Sequence, residues 1–249
     1  MSVPNYHEAL RVASAAAAEA AGILLEECAR AAGPRGINGY CPADEVAERT
    51  IRERLTAGFP AWGYLGEETG YQAPADGGTH LWLVDPNDGT AAMQQGYRGH
   101  AVSIGLLCDG VPVLGVVHAV NAPDDVGDRF AWAEGCGRPT RNGVPVERPA
   151  WPERLGPHDV VLLSQAADRH PVGNLACVAP ARFRAVPSIA YRLALAAAGE
   201  GAAAVSLQAP CGWDYAAGHA LLRALGGVLV DEARAEVRYS RDGFSRTQR

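Results

Sequence analysis

Apolar positions recur along this chain at two spacings, and each spacing predicts a kind of element. From Asn5 to about Ala32 the sequence is dense in Ala, Leu and Glu, a helical composition, and Gly33-Pro34 stops it. Val46, Ile51 and Leu55 recur near helical spacing with Arg and Glu between them, which predicts a second helix opening after Pro42 and closed by Phe59-Pro60. The pattern then changes. Leu81 to Val84 is a short apolar run that reads as a buried strand, and Ala101–Cys108 and Val111–Val120 are β-rich runs separated by Asp109-Gly110, a strong hairpin signal. Phe130–Ala133 predicts a further strand. Turns around Gly135-Cys136-Gly137 and Asn142-Gly143 lead into a Pro-rich loop through Pro157. Beyond it, Val160–Leu163, Ala202–Leu207 and Gly227–Asp231 read as strands alternating with helices at Ile189–Ala198 and Trp213–Leu225, an α/β pattern. The expected division is an N-terminal α+β half, residues 1–148, and a C-terminal α/β half, residues 149–249.

Composition narrows the function. With 249 residues, 48% of them hydrophobic and 20% charged, the chain has material for a full core. A net charge of -6 argues against a general nucleic-acid binder, which would carry a basic patch, and favours a small-molecule partner. No stretch has the apolar length of a membrane span, and the Ala-rich start is interrupted by Glu19 and lacks a basic leader, so a cytoplasmic protein is expected. The six cysteines include no C-x-x-C pair and the seven histidines no short zinc spacing.

The chemistry concentrates in "WLVDPNDGT", residues 82–90. Asp, Pro, Asn and Gly are ordinary turn residues, so a tight turn after a strand explains the composition. Alternatively the turn aims Asp85 and Asp88 at one point, where their repulsion, roughly 4 kcal/mol at 4 Å and an effective dielectric near 20, calls for a cation. Similar acidic features recur: Asp44 in "PADEVAERTI", Glu67 and Glu68 in "LGEETG", and Asp214 in "CGWDYAAGHALL". Taken singly, Asp44 and Asp214 are also ordinary residues for the start of a helix.

Taken in order, Asp44, Glu67, Asp85-x-x-Asp88-Gly89-Thr90 and Trp213-Asp214 resemble the inositol monophosphatase family of magnesium-dependent, lithium-sensitive phosphatases. "DPNDGT" is similar to that family's D-P-x-D-G-T signature, "LGEETG" to its G-E-E element, and "WDYAAGHALLRALGGVLVD" to its C-terminal W-D-x-x-x-G element. The resemblance implies a layered αβαβα sandwich, with the C-terminal half contributing Asp214 and a substrate wall. It implies that Glu67, Asp85, Asp88, Asp214 and the backbone carbonyl of Asn87 ligate two or three magnesium ions. Asp44 and Thr90 match the pair that orients and deprotonates the attacking water, with Glu67 joining the catalytic set and Glu68 supporting it. Asp88, Gly89, Thr90 and Asp214 then face the phosphate, and Arg184, Ser188 and Gln208, with Tyr191, are candidate contacts to the rest of the substrate. A homodimer is the family expectation. His118 and His219 read as satisfied core residues rather than catalysts.

The implied activity is magnesium-dependent hydrolysis of a small polyhydroxylated phosphate ester, a sugar, cyclitol or nucleotide-like phosphate, by metal-activated water. Three departures bear on the leaving group. Leu207 stands where the family often has an acid that contacts a substrate hydroxyl; Ala92-Met93 replaces the usual Asn-Phe; and "GINGYCPAD" lacks the usual lysine-bearing approach to Asp44. Two other classes compete: a non-catalytic descendant that binds metal and phosphate as a regulator, and a thiol hydrolase using Cys136 or Cys211. The first predicts binding without turnover, the second activity that survives a chelator.

Overall fold

A computed structural model describes residues 6–207 and 210–245. The chain opens with α1 (His7–Cys28) and α2 (Pro42–Gly58), close to the predicted helices. Pro42 sits in the first turn of α2, where its missing N–H costs no hydrogen bond and its fixed φ suits a helix. There follow β1 (Gly63–Gly66), β2 (Gly70–Gln72), β3 (His80–Asp88), the short α3 (Thr90–Gln94), β4 (Ala101–Cys108), β5 (Val111–Ala119), β6 (Asp128–Ala133), β7 (Thr140–Arg141) and β8 (Val144–Pro145). These strands form one sheet in the order β2-β1-β3-β4-β5-β6-β7-β8. The hairpin forms as predicted: β4 and β5 are antiparallel, and Asp109 and Gly110 take positive φ, 52° and 77°, so that the turn's twist matches the strands.

The remainder comprises β9 (Val160–Leu163), α4 (Pro171–Val178), β10 (Arg182–Ala185), α5 (Ile189–Ala197), β11 (Ala203–Ala204) and α6 (Gly212–Leu225). β9 lies between β10 and β11 in a small parallel sheet.

The alternation of side chains along the strands sorts the layers. Trp82, Val84, Ile104 and Val116 pack with Ala13, Leu24, Ile51 and Leu55 of α1 and α2. Leu81, Leu83 and Val117 point the other way, into a core with Ala190, Leu193, Ala217 and Leu221 of α5 and α6. Leu162 of β9 joins that core from beyond the helices, whereas its neighbours Val161 and Leu163 pack with Val178 of α4. The result is the αβαβα order: α1 and α2, the large sheet, α5 and α6, the small sheet, then α4.

α6 lies directly against the large sheet because two glycines make room for it. Gly105 and Gly115 are register partners on β4 and β5. A Cβ at Gly105 would come 2.9 Å from the Ala216 methyl, and one at Gly115 would come 2.2 Å from the Ala217 carbonyl oxygen.

Two predicted strands do not form as expected. Ala202–Leu207 contributes only Ala203–Ala204 to the sheet, and Gly227–Asp231 gives a single bridge, Val230 to Glu236. Asp231 ends the pairing by capping its own turn, its Oδ1 accepting from the Ala235 N–H at 2.9 Å while its N–H donates to the Ala235 carbonyl at 2.9 Å. Among the described residues no helix is long and apolar enough to cross a membrane.

Candidate metal centre

Three chain segments converge, each held by a local device. β1 and β3 run parallel, so their carboxyl ends, carrying Glu67 and the Asp85–Asp88 stretch, lie at the same edge of the sheet. At the end of β3 the pairing with β4 slips between Asp85 and Asp88. Asp85 Oδ1 accepts from the Asn87 N–H at 2.8 Å, an Asx turn. Gly89 then takes φ +109°, and a Cβ there would press to 3.3 Å on His100 and Pro187. The stretch is therefore the tight turn its composition suggests, and the turn also gathers carboxylates.

The Glu67 turn is tied down twice. Its N–H donates to the Val84 carbonyl at 3.1 Å. From α2, the buried Glu48 carboxylate accepts from the N–H groups of Glu68 and Thr69, both at 2.8 Å, and from the Thr69 hydroxyl. Gly66 permits this approach, since a Cβ there would fall 2.0 Å from Glu48 Oε1. Asp214 enters from the first turn of α6, where its Oδ2 accepts from the Cys211 N–H at 2.8 Å.

These acids act on one another. Asp85 is buried, Asp88 and Asp214 are half-buried, and Glu67 is exposed at the rim. Asp85 lies within electrostatic reach of Glu67, Asp88 and Asp214, so each ionised neighbour makes the next charge harder to place. Desolvation pushes the Asp214 carboxyl up to about 8, helped by the charges of Asp88 and Glu67. Burial, then Glu67, Asp88 and Asp214, pushes Asp85 well above the usual carboxylate range. Glu67 and Asp88 are raised as well, first by desolvation. Glu68 is pushed up to about 7 by desolvation and the charge of Glu67. Such a group favours an added positive charge, and its donors are all oxygen, the set preferred by a hard cation such as magnesium. The residues fit that ion, although among the described residues no three His, Cys, Asp or Glu side chains form a group already set to hold a metal.

Beside the acids, Asp44 and Thr90 meet: the Thr90 hydroxyl lies 2.8 Å from Asp44 Oδ2 and 2.9 Å from the Asn87 carbonyl oxygen. Having one hydrogen, it donates to one of them at a time. Asp44 is buried, and desolvation pushes its carboxyl up to about 6 against the lowering effect of hydrogen bonds from Thr90 and Asn87.

The sequence reading missed three side chains here. Glu48 had a visible signal, since it lies one turn after Asp44 on the same face of α2. The Asn87 amide was overlooked because the motif draws attention to the carbonyl; its Nδ2 donates to Asp44 Oδ1 at 2.9 Å. His100, wholly buried, places Nδ1 2.7 Å from Asn87 Oδ1, a contact made by strand pairing and absent from any local motif.

The substrate-wall residues fare differently. Ser188 is buried and donates from Oγ to Asp88 Oδ2 at 2.6 Å, and the Ala190 N–H donates to the same oxygen at 2.8 Å. Ser188 Oγ also caps α5 by accepting from the Tyr191 N–H at 2.9 Å. Its place is thus beside a proposed ligand. Arg184 stands on β10 and forks onto Glu200 at 3.2 Å from both terminal nitrogens, while Tyr191 donates to Asp128 at 3.0 Å. Gln208 lies outside the described residues. Leu207 is 84% exposed, and His219 meets the Tyr239 hydroxyl at 3.1 Å as a satisfied core residue.

Comparison with known proteins joins these observations. The inositol monophosphatase family model matches residues 5–245. An inositol-1-monophosphatase of Rhizobium meliloti is 34% identical over 203 residues, 76% of this chain and 70% of that protein. A histidinol-phosphatase of Chlorobaculum parvum is 33% identical over 137 residues, 53% of this chain and 50% of its own length. The structure of an inositol monophosphatase from Anabaena aligns with a TM-score of 0.74 at 27% identity, covering 94% of this chain and 87% of that one. With a family match along nearly its whole length and the same layered architecture, the chain belongs to the inositol monophosphatase family, whose members so named are phosphoric monoester hydrolases.

Proposed function

We propose that this protein is a magnesium-dependent phosphomonoesterase that hydrolyses a small polyhydroxylated phosphate ester. One observation carries the reading: an all-oxygen cluster of mutually repelling acids, Glu67, Asp85, Asp88 and Asp214, adjoins the Thr90–Asp44 pair through Asn87. Bound among those acids and the Asn87 carbonyl, magnesium would supply the charge that neutralises a phosphate and acidifies a water.

The remaining work falls to the chain's own groups. Asp44, held at one oxygen by Asn87 and at the other by Thr90, keeps lone pairs free to take a proton from the attacking water. The positive φ of Gly89 brings backbone close to where the phosphate would sit, and the Gly89 and Thr90 amides are the donors proposed for its oxygens. Glu68 and Glu48 shape the turn that presents Glu67. Ser188 and Ala190 orient Asp88, which supports a place for Ser188 in the site other than direct substrate contact.

The substrate reading is coarser. The two relatives above are named for an inositol phosphate and a histidinol phosphate, so one family site serves different leaving groups. Leu207 offers no hydrogen-bond acceptor to a sugar hydroxyl, which favours a leaving group unlike inositol at that wall. A homodimer at work in the cytoplasm, and a division near residue 148, are further parts of this proposal and rest on the sequence reading alone.

The test is phosphate release from a panel of inositol, sugar, nucleotide and histidinol phosphates with magnesium, comparing the parent with Asp85→Asn. Release that needs the metal and is lost in the variant supports the proposal. Metal-dependent binding of these esters without release refutes it in favour of a regulatory descendant, and release that persists in EDTA refutes it in favour of a metal-free hydrolase.

A further inference from the structure

Behind Asp44 runs a line of side chains of which the mechanism above uses only the first, the Asn87 amide. Asn87 and His100 are buried, at 1% and 0% exposure, and Cys28 is half-buried at the far end. Cys28 Sγ lies 3.6 Å from His100 Nε2, His100 Nδ1 lies 2.7 Å from Asn87 Oδ1, and Asn87 Nδ2 lies 2.9 Å from Asp44 Oδ1.

Chemistry gives the line one direction. An ionised Asp44 only accepts, so the Asn87 amide turns its NH₂ toward Asp44 and its carbonyl oxygen toward His100. That oxygen accepts only, so His100 Nδ1 carries the ring hydrogen. In a neutral ring Nε2 is then a bare acceptor, and the Cys28 thiol is the donor facing it. The amide also lies 3.4 Å from the Met93 sulfur, a weak acceptor that leaves this orientation unchanged.

The arrangement depends on the strands. Asp88 pairs with Ala101 across β3 and β4, and the slip between Asp85 and Asp88 accompanies the contact of Asn87 with the residue just before β4. Without His100, the Asn87 carbonyl oxygen would lose its buried donor, leaving the amide held at its NH₂ end alone and free to tilt away from Asp44.

We propose that His100 is a positioning residue, acting through the Asn87 side chain to hold Asp44 in the orientation that receives the proton of the attacking water. Cys28 sets the tautomer of His100 from behind. This inference rests on the phosphatase reading for its kinetic consequence, but not for the hydrogen-bond direction itself.

Both levels can be measured. In metal-free protein labelled with ¹⁵N-histidine, the His100 ring is expected to be neutral with its hydrogen on Nδ1. A hydrogen on Nε2 overturns the proposal whether or not the protein is a phosphatase. With magnesium and p-nitrophenyl phosphate, His100→Phe fills the space without the donor and is expected to lower kcat about tenfold or more with little change in KM. His100→Asn, which returns a donor near the Nδ1 position, is expected to recover most of the loss. Adding His100→Phe to Asn87→Leu is expected to cost little beyond Asn87→Leu alone, because the two residues act as one unit. An unchanged kcat in folded His100→Phe, or full additivity in the double variant, overturns the proposal. A parent that releases no phosphate from any ester refutes the phosphatase reading, and the ring spectrum still decides the relay.

Discussion

Asp44 shows how burial prepares a side chain for proton transfer. Desolvation raises its carboxyl to about 6, so near neutral pH it is mostly ionised yet binds a proton more readily than an exposed aspartate. Asp44→Asn removes that capacity while retaining the side chain's size. The expected outcome is a fall in kcat of about 10²- to 10⁴-fold, with magnesium affinity by calorimetry reduced far less than in Asp85→Asn. Residues of this kind were legible where they fall in short motifs or on one helix face, as Asp85, Asp88, Thr90 and, in hindsight, Glu48 do. His100 was illegible because its partner is reached across two paired strands, and a lone histidine beside an apolar run carries no sign of what faces it.

At the scale of elements, α6 is positioned by absence of side chains beneath it. Gly105 and Gly115 let Ala216 and Ala217 rest on the backbone of β4 and β5, and the same helix carries Asp214 in its first turn. The Ser103 hydroxyl pins that turn by donating to the Trp213 carbonyl at 2.9 Å. In Gly115→Ala the new methyl meets a carbonyl oxygen at 2.2 Å, so the helix must lift. The expected cost is about 1–3 kcal/mol in denaturant titration, accompanied by weaker magnesium binding because Asp214 moves with the helix. Most helices and strands were readable from spacing, and the Asp109-Gly110 hairpin from turn chemistry. The 227–231 run misled because its apolar residues promise a strand, while Asp231 spends its hydrogen bonds on its own turn.

For the whole molecule, the raised carboxyls tie stability to pH. Asp44 titrates at about 6, Glu68 at about 7 and Asp214 at about 8 in the folded protein, each above its ordinary value of 3.8 or 4.5. His80, His100, His118 and His219, lowered by desolvation, oppose these carboxyls below about pH 6.5, but from there to about pH 8 the carboxyls leave the folded state with more protons than the unfolded chain. The contribution of the carboxyls is fully present below their unfolded values and is lost as pH rises through the folded ones. In EDTA, the calorimetric Tm of the metal-free protein is expected to fall between about pH 6.5 and about pH 8, where the carboxyls alone set the slope, and added magnesium to raise Tm more at the higher pH. The five-layer order was expected through the family resemblance; spacing alone shows which residues are buried, not which layer receives them.

The proposed ligands come from the ends of β1 and β3, neighbours early in the chain, and from α6, far along it. A site assembled from such distant segments is complete only after the slow, long-range contacts have formed. Glu67 and Asp85 can meet early through the parallel pairing of β1 with β3, but Asp214 arrives only when α6 docks on the Gly105–Gly115 seat. Magnesium is then a late fastener rather than a nucleus. It should leave the refolding rate nearly unchanged and slow unfolding, so that in stopped-flow experiments the ion displaces the unfolding limb alone.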